Sequence, residues 1–134
     1  MSVARKPGGR IDTRAAMAAD EFYLNDSNVN PWYKSGSVAA VIDINALLDG
    51  GSSSAPLSVD FSFGHIVASL ASDVAATIGI KRGAVSILHN IKGQGMHIIP
   101  IGMRFPAGTA SCSVELTAAS GNVTLQLCNV RSPG

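Results

Sequence analysis

Apolar and polar residues alternate along the chain from Ser37 onwards. In the first such segment the apolar side chains are Val38, Ala40, Ile42 and Ile44. In the second they are Leu57, Val59, Phe61 and Phe63, after a turn-rich break over residues 49–56. A period of two is typical of half-buried strands. Further strands are predicted over residues 66–70, 74–80, 84–91 and 97–101, each bounded by Gly, Ser or Asp.

Short strands at regular spacing, without helical periods between them, predict an all-β fold. We expect an antiparallel β-sandwich, jelly-roll-like, behind an extended N-terminal arm. The arm and a loop occupy residues 1–36, with a short helical turn over 13–23 and the loop over 25–37. The sandwich occupies residues 37–134.

The last two apolar runs predict a closing hairpin with residues 120–121 as its turn, since Gly supplies the positive φ that two-residue turns require. Matching apolar to apolar pairs Leu116 with Leu125. Cys112 and Cys128 then lie on opposite faces of the sheet, which indicates two free thiols in a reducing compartment. A register slip of one residue would place them on the same face.

The charge is unevenly distributed. Arg5, Lys6, Arg10 and Arg14 against Asp12 give +3 over residues 1–14, and the remaining 6 basic and 8 acidic residues give −2. Phosphate-driven affinity usually needs roughly 6 to 10 contacts, so four charges without aromatic residues argue against nucleic-acid binding. The arm is therefore expected to contact protein, with a solvated, disordered terminus as the alternative.

The composition predicts a protein surface with few charged residues. Charged residues are 14% of the chain and apolar residues are 46%. Soluble monomers carry about 25% charged residues, so neighbouring subunits could cover part of this surface. A neutral surface rich in Ser, Thr and Gly explains the same composition equally well. There is no signal-peptide pattern and no apolar run of about 20 residues, which indicates synthesis in the cytoplasm and no membrane partner.

Candidate chemistry is sparse. The bases available for nucleophilic catalysis are His65, His89 and His97, and neither Cys-x-x-Cys nor His-x-x-x-His occurs. The nine carboxylates are scattered. We therefore expect a protein that is not an enzyme and that holds neither metal nor cofactor.

Residues 41–63, VIDINALLDGGSSSAPLSVDFSF, are followed by IPIGMRFPAG at 99–108 and GNVTLQLCNV at 121–130. This series resembles small structural proteins of tailed bacteriophages. The resemblance implies a virion component, either a capsid cement or decoration protein or a minor part of the neck, tail or fibre. The implied partners are a major capsid, neck or tail protein and further copies of the chain itself.

Two groups outside the arm are candidate contact residues. The apolar residues around Pro100 predict either an edge strand that packs on another chain or a buried core strand. The aromatic pair in the loop is either a lid over the core or a receptor- or glycan-binding platform. The full set of candidate partner contacts is Arg5, Lys6, Arg10, Arg14, Trp32, Tyr33, Ile99 and Ile101.

Overall fold

The computed structural model describes residues 30–49 and 55–132. The elements in chain order are β1 (Tyr33–Asp43), α1 (Ile44–Leu48), β2 (Phe61–Phe63), β3 (His65–Leu70), β4 (Ala75–Arg82), β5 (Val85–Lys92), β6 (Gly95–Ile99), β7 (Met103–Phe105) and β8 (Cys112–Cys128). No helix in these ranges is long and apolar enough to cross a membrane. The helical turn predicted over 13–23 lies outside the described residues.

The 17-residue strand β8 is the centre of a six-stranded antiparallel sheet. β1 pairs with β8 along one side. On the other side, β4 pairs with the first half of β8 and β3 pairs with the second half. β5 then pairs with β4, and β6 pairs with β3. The sheet therefore consists of four long rows, which are β1, β8, β3 with β4, and β5 with β6.

All four rows are irregular at the same level, which we call the corner. In β1, Val38 has a φ of 60° and the register with β8 shifts beside it. In β8, Gly121 has a φ of 84°. Residues 71–74 interrupt the third row, and residues 93–94, with Gly93 at a φ of 111°, interrupt the fourth. Bulges and glycines bend a sheet, so the corner divides it into two halves.

The bend directs the inner faces of both halves into one hydrophobic core. The first half contributes Ile42, Val114 and Ile78, and the second contributes Ile66 and Leu125. All five are buried completely. One curled sheet thus supplies both layers, and the expected all-β, sandwich-like fold is confirmed.

The antiparallel pair β2–β7 adds aromatic residues to the same core. The ring centroids of Phe61 and Phe105 are 5.9 Å apart, and that of Trp32 is 4.7 Å from Phe61. Next to this cluster, Asp60 accepts hydrogen bonds from the Ala107 N–H, at 2.8 Å, and from Arg104, at 2.7 Å. These two contacts hold the pKa of Asp60 below its usual range.

Asn45 is completely buried and connects three separate segments. Its Nδ2 donates to the carbonyl oxygens of Ala55, at 2.7 Å, and Thr109, at 3.2 Å. Its Oδ1 accepts from the backbone N–H of Cys112, at 2.5 Å. A buried amide is tolerated when its donors and acceptors are paired, and Asn45 meets that condition.

The predicted closing hairpin is wrong. Residues 112–128 form one strand, and each half pairs with other strands instead of with the other half. Leu116 lies opposite Ala40 and Ile78, while Leu125 lies opposite Ala68. The positive φ at Gly121 bends the strand and does not reverse it.

Three strand bounds also need correction. The first predicted strand ends at Asp43, because Ile44 begins α1. β1 begins at Tyr33, so the last five residues of the loop predicted over 25–37 are strand. The strand predicted from Leu57 is limited to Phe61–Phe63, because Leu57 exchanges backbone hydrogen bonds with Gly108 and Thr109 in a loop. The strands predicted over 66–70, 74–80, 84–91 and 97–101 are confirmed, with ends shifted by one or two residues. The division of the chain at residue 36 stays a prediction.

Replacing Gly121 with Ala tests the corner. A Cβ at this position would overlap Ser72 Oγ and lie 3.0 Å from Ser72 Cβ, on a backbone that already has a positive φ. We expect the free energy of unfolding to fall by about 2–5 kcal/mol, the sum of backbone strain and overpacking. Urea denaturation measures this change.

Gly108→Ala is the matched control, because Gly108 has a φ of 90° and a Cβ added there would meet nothing within 4 Å. Strain alone should cost about 1–2 kcal/mol there. Adding Ser72→Gly to Gly121→Ala should recover the difference. Equal losses at the two glycines would show that the corner does not depend on this close contact.

Candidate interaction surface

Among the described residues, the sheet has two free edges. The β1 edge is Tyr33–Asp43, and the β5–β6 edge is Val85–Lys92 with Gly95–Ile99. Within the described ranges, each edge strand pairs on one side only. Such an edge presents backbone N–H and C=O groups that can pair with another chain.

Exposed apolar side chains concentrate on these edges. Among the described residues, eight large hydrophobic side chains are exposed, and seven of them lie on the two edges. Those on the β5–β6 edge are Val85, Ile87, Leu88, Met96 and Ile98, and those on the β1 edge are Val38 and Val41. The eighth, Leu47, lies on α1.

The largest exposures are on the β5–β6 edge, where Leu88, Met96 and Ile98 are 71%, 67% and 65% exposed. Lys92 is the only charged residue between Gly83 and Met103. Soluble proteins usually protect edge strands with charged side chains, Pro or bulges inside the strand. The β5–β6 edge has almost none of this protection, so it fits a surface that a partner covers.

Strand pairing determines where these side chains point. Leu88 lies opposite Gly79, and a Cβ built on Gly79 would be 3.5 Å from Leu88 Cδ2, so the leucine covers the glycine on the outer face. Ile87 lies opposite the buried Ile80 and therefore points to the inner face. The edge is thus apolar on both faces.

Two open depressions lie on the outer face of the first half. One, of about 210 Å³, is lined by Gly79, Leu88 and Glu115. The other, also about 210 Å³, lies between Asp43 and Lys81. Both are smaller than the roughly 300–1,000 Å³ of typical small-molecule sites.

The predicted contact residues are distributed unevenly. Ile99 is 3% exposed and belongs to the core, and Ile101 is half-buried against it. Ile99 therefore has no exposed side chain for a partner, and its neighbour Ile98, on the opposite face of β6, is the exposed residue of this segment. Trp32 is half-buried on Phe61, as a lid would be, and Tyr33 begins the β1 edge. The four arm residues, Arg5, Lys6, Arg10 and Arg14, lie outside the described residues.

Sequence reasoning missed the contribution of β5. It predicted the strand over 84–91 but did not select Leu88, Ile87 or Val85 as contact residues. The available signal was the single charge between residues 83 and 103 combined with apolar residues on both faces of a strand. This signal became specific only when the pairing showed that β5 is an edge.

The histidines and cysteines form no metal-binding group of three in residues 30–49 and 55–132. His89 and His97 lie on strands that do not pair with each other, and His97 Nε2 is 2.7 Å from the Gly93 carbonyl oxygen. Cys112 and Cys128 are free thiols at opposite ends of β8. The expectation of free thiols is confirmed, although the hairpin used to reach it is wrong.

Cys112 begins β8 under the loop that holds Thr109. Burial, together with the nearby Asp43 carboxylate and against the opposing effect of Arg82, raises the pKa of its thiol to about 11. Its Sγ lies 3.6 Å from the Thr109 carbonyl oxygen, which suits a protonated donor. A thiol in this state is a poor nucleophile near neutral pH.

No protein-family profile matches the chain, and no curated protein matches it at a significant level. Several solved structures match the chain weakly, and two of them are the following. One is the CBM22-1–GH10 portion of xylanase 10B from Clostridium thermocellum in complex with xylohexaose, at 6% identity and a TM-score of 0.39. The match covers 78% of this chain but only 26% of the xylanase chain, about a quarter of its length.

The second is the virus-like particle of extra small virus from the giant freshwater prawn Macrobrachium rosenbergii, at 13% identity and a TM-score of 0.32. This match covers 73% of the present chain and 77% of the viral chain. Because both TM-scores are below 0.5, neither similarity supports a conclusion about function.

The buried Cys112 thiol should make stability depend on pH in the alkaline range. The folded chain keeps this proton up to a pH of about 11, whereas the unfolded chain releases it near the ordinary value of 9.0. Stability is therefore complete below pH 9 and falls as the pH rises towards 11, by up to about 2–3 kcal/mol. Urea denaturation at about pH 8, 9, 10 and 11 measures the loss.

Cys112→Ser is the matched control, because a hydroxyl can still donate to Thr109 and does not titrate in this range. The variant should lose less stability than the wild type as the pH rises from 9.0 to about 11. Parallel curves for the two proteins would exclude Cys112 as the source of the dependence.

Proposed function

We propose that the chain is a non-enzymatic structural subunit that binds other subunits through the free edges of its sheet, as a virion component of a tailed phage. The observation that carries this proposal is the concentration of exposed apolar side chains on those edges. Seven of the eight in the described part of the chain lie there.

The physical basis is the free energy of covering these edges. Complete burial of a Val, Leu, Ile or Met side chain contributes about 1.5–3 kcal/mol, and an added strand also pairs the free backbone groups. Leu88, Met96 and Ile98 are each about two-thirds exposed, so most of that contribution is still available to a partner.

The assignment to a phage virion rests on the resemblance of residues 41–63, 99–108 and 121–130 to small structural proteins of tailed phages. Capsid cement or decoration is the preferred role, with the major capsid protein and copies of this chain as partners. The low fraction of charged residues, 14%, agrees with a chain that is covered by neighbours. A minor neck, tail or fibre protein is the alternative.

A receptor- or glycan-binding role has less support. Such a role would use the face of the Trp32 ring, and that ring packs 4.7 Å from Phe61. Edge pairing requires no such exposed ring.

Charges placed on the β5–β6 edge should abolish self-association. The double variant Leu88→Lys/Ile98→Lys changes two exposed residues, so the fold should persist while the edge can no longer be desolvated cheaply. Sedimentation velocity should show larger species for the wild type and monomer for the variant. Leu47→Lys, at an exposed apolar position on α1, is the matched control and should behave as the wild type. A monomeric wild type at high micromolar concentration would contradict the proposal.

Location on the particle tests the virion assignment. Quantitative mass spectrometry of purified phage should find the chain at a copy number comparable to that of the major capsid protein, as expected of a repeating shell component. A dozen copies or fewer would place it in the neck or tail. Absence from purified particles would contradict a virion role while leaving edge-mediated assembly intact.

A further inference from the structure

Two lines of laterally paired residues end in apolar or aromatic side chains at both free edges of the sheet. On the outer face of the first half, one line of laterally paired residues crosses the sheet from Val41 through Glu115 and Gly79 to Leu88. Its two ends are therefore an exposed valine on the β1 edge and an exposed leucine on the β5–β6 edge.

The second half contains a corresponding line of paired residues. It crosses the outer face from Tyr33 through Gln126 and Val67 to Ile98. Its ends are an aromatic residue on the β1 edge and an exposed β-branched residue on the β5–β6 edge. Aromatic and β-branched residues are favourable cross-strand neighbours.

The corner determines how two copies can align. Both edges bend at the same level, the β1 edge at Val38 and the β5–β6 edge at residues 93–94. A straight edge could pair in many registers, but a bent one pairs along both halves only when the two corners coincide. Continuing the two lines of paired residues places Val41 of one copy beside Leu88 of the next, and Tyr33 beside Ile98. Between these positions the β5–β6 edge advances 10 residues (98 − 88) and the β1 edge 8 (41 − 33), so a bulge at the corner takes up the two-residue difference.

Strand direction is compatible with the same arrangement. Every neighbouring pair in the sheet is antiparallel, so β5 and β6 run opposite to β1. The β1 strand of a second copy in the same orientation would add to the β5–β6 edge as the next antiparallel row. The contact is head-to-tail, and each added copy presents a new free edge.

We infer that copies of this chain join head-to-tail, with the β1 edge of one copy paired to the β5–β6 edge of the next and their corners aligned. This inference rests on the proposed function and names its partner as a second copy. It covers the exposed apolar residues of both edges, whereas pairing two β5–β6 edges would leave Val38 and Val41 uncovered. Head-to-tail contacts close into rings or extend as filaments.

Engineered disulfides test the pairing. The double variant Val41→Cys/Leu88→Cys, oxidised with oxidised glutathione, should give a ladder of covalent dimers, trimers and higher species on non-reducing gels. The two positions within one copy are three strand spacings apart, about 14 Å, so an internal disulfide is excluded. The wild-type chain, with Cys112 and Cys128 alone, defines the background.

Ala39→Cys/Leu88→Cys is the register control, since Ala39 lies on the same face of β1 two residues from Val41. It should give about tenfold less cross-linked product, because a two-residue offset separates the Cβ atoms beyond disulfide reach. Equal cross-linking by both pairs would overturn the aligned register.

Leu88→Cys/Ile98→Cys tests the competing arrangement, in which two β5–β6 edges pair. If this variant gives covalent dimers and Val41→Cys/Leu88→Cys gives no ladder, the head-to-tail pairing is wrong and edge-mediated assembly stands. Sedimentation of the same proteins under reducing conditions distinguishes a failure of this inference from a failure of the proposed function. Self-association without the ladder overturns only this inference, while a monomer overturns the proposed function as well.

Discussion

Strand β8, 17 residues long, pairs on both of its sides in each half, and both halves face one core. A straight strand of that length, at about 3.3 Å per residue, would extend well beyond a domain of this size. The conflict is resolved by a bend at Gly121, and every row beside β8 bends at the same level because the rows are hydrogen-bonded to each other. The Ala71 N–H to Asn122 carbonyl and Gly93 N–H to Val74 carbonyl bonds, at 3.0 and 3.1 Å, are the links at that level. Layer arrangement, core composition and edge shape all follow from this bend.

The same constraint connects the fold to the proposed assembly. Because the corner crosses the whole sheet, the two outermost rows have corresponding bends although they are far apart in sequence. In the described part of the chain, the inner strands of this sheet pair on both sides, whereas the strands at its two edges pair on one side only. The interior is supported by the aromatic cluster of β2–β7 and by Asn45, whose three hydrogen bonds fasten the ends of loops to the first residue of β8. The sides are supported by nothing comparable in the described residues.

Strands β3 to β6 could be predicted from the sequence because their side chains keep a period of two and Gly, Ser or Asp residues bound them. β8 could not, because Gly121 between two apolar runs is the usual pattern of a hairpin, and only pairing with β1 shows that the strand continues.

The exposed residues of the candidate interaction surface were harder to predict than the fold. Alternation shows that Ile98 and Ile99 point to opposite faces, but which face is buried depends on β3, which is distant in sequence. The sequence therefore predicted the strand around Ile98 but could not show which of its side chains is exposed.

The pairing of β1 with β8 also determines when the sheet can form. Partners in this pair are separated by 70 residues for Asp43 and Ser113 and by 93 for Tyr33 and Gln126. β4, β5, β3 and β6 can pair among themselves early, but both β1 and the middle of the sheet must wait for β8 to be synthesised. Non-local pairing of this kind slows folding, since a long loop must close before the contacts form. On the ribosome, β1 would therefore stay without its sheet partner until β8 has been synthesised, so the exposed backbone of β1 could pair with other chains during that interval.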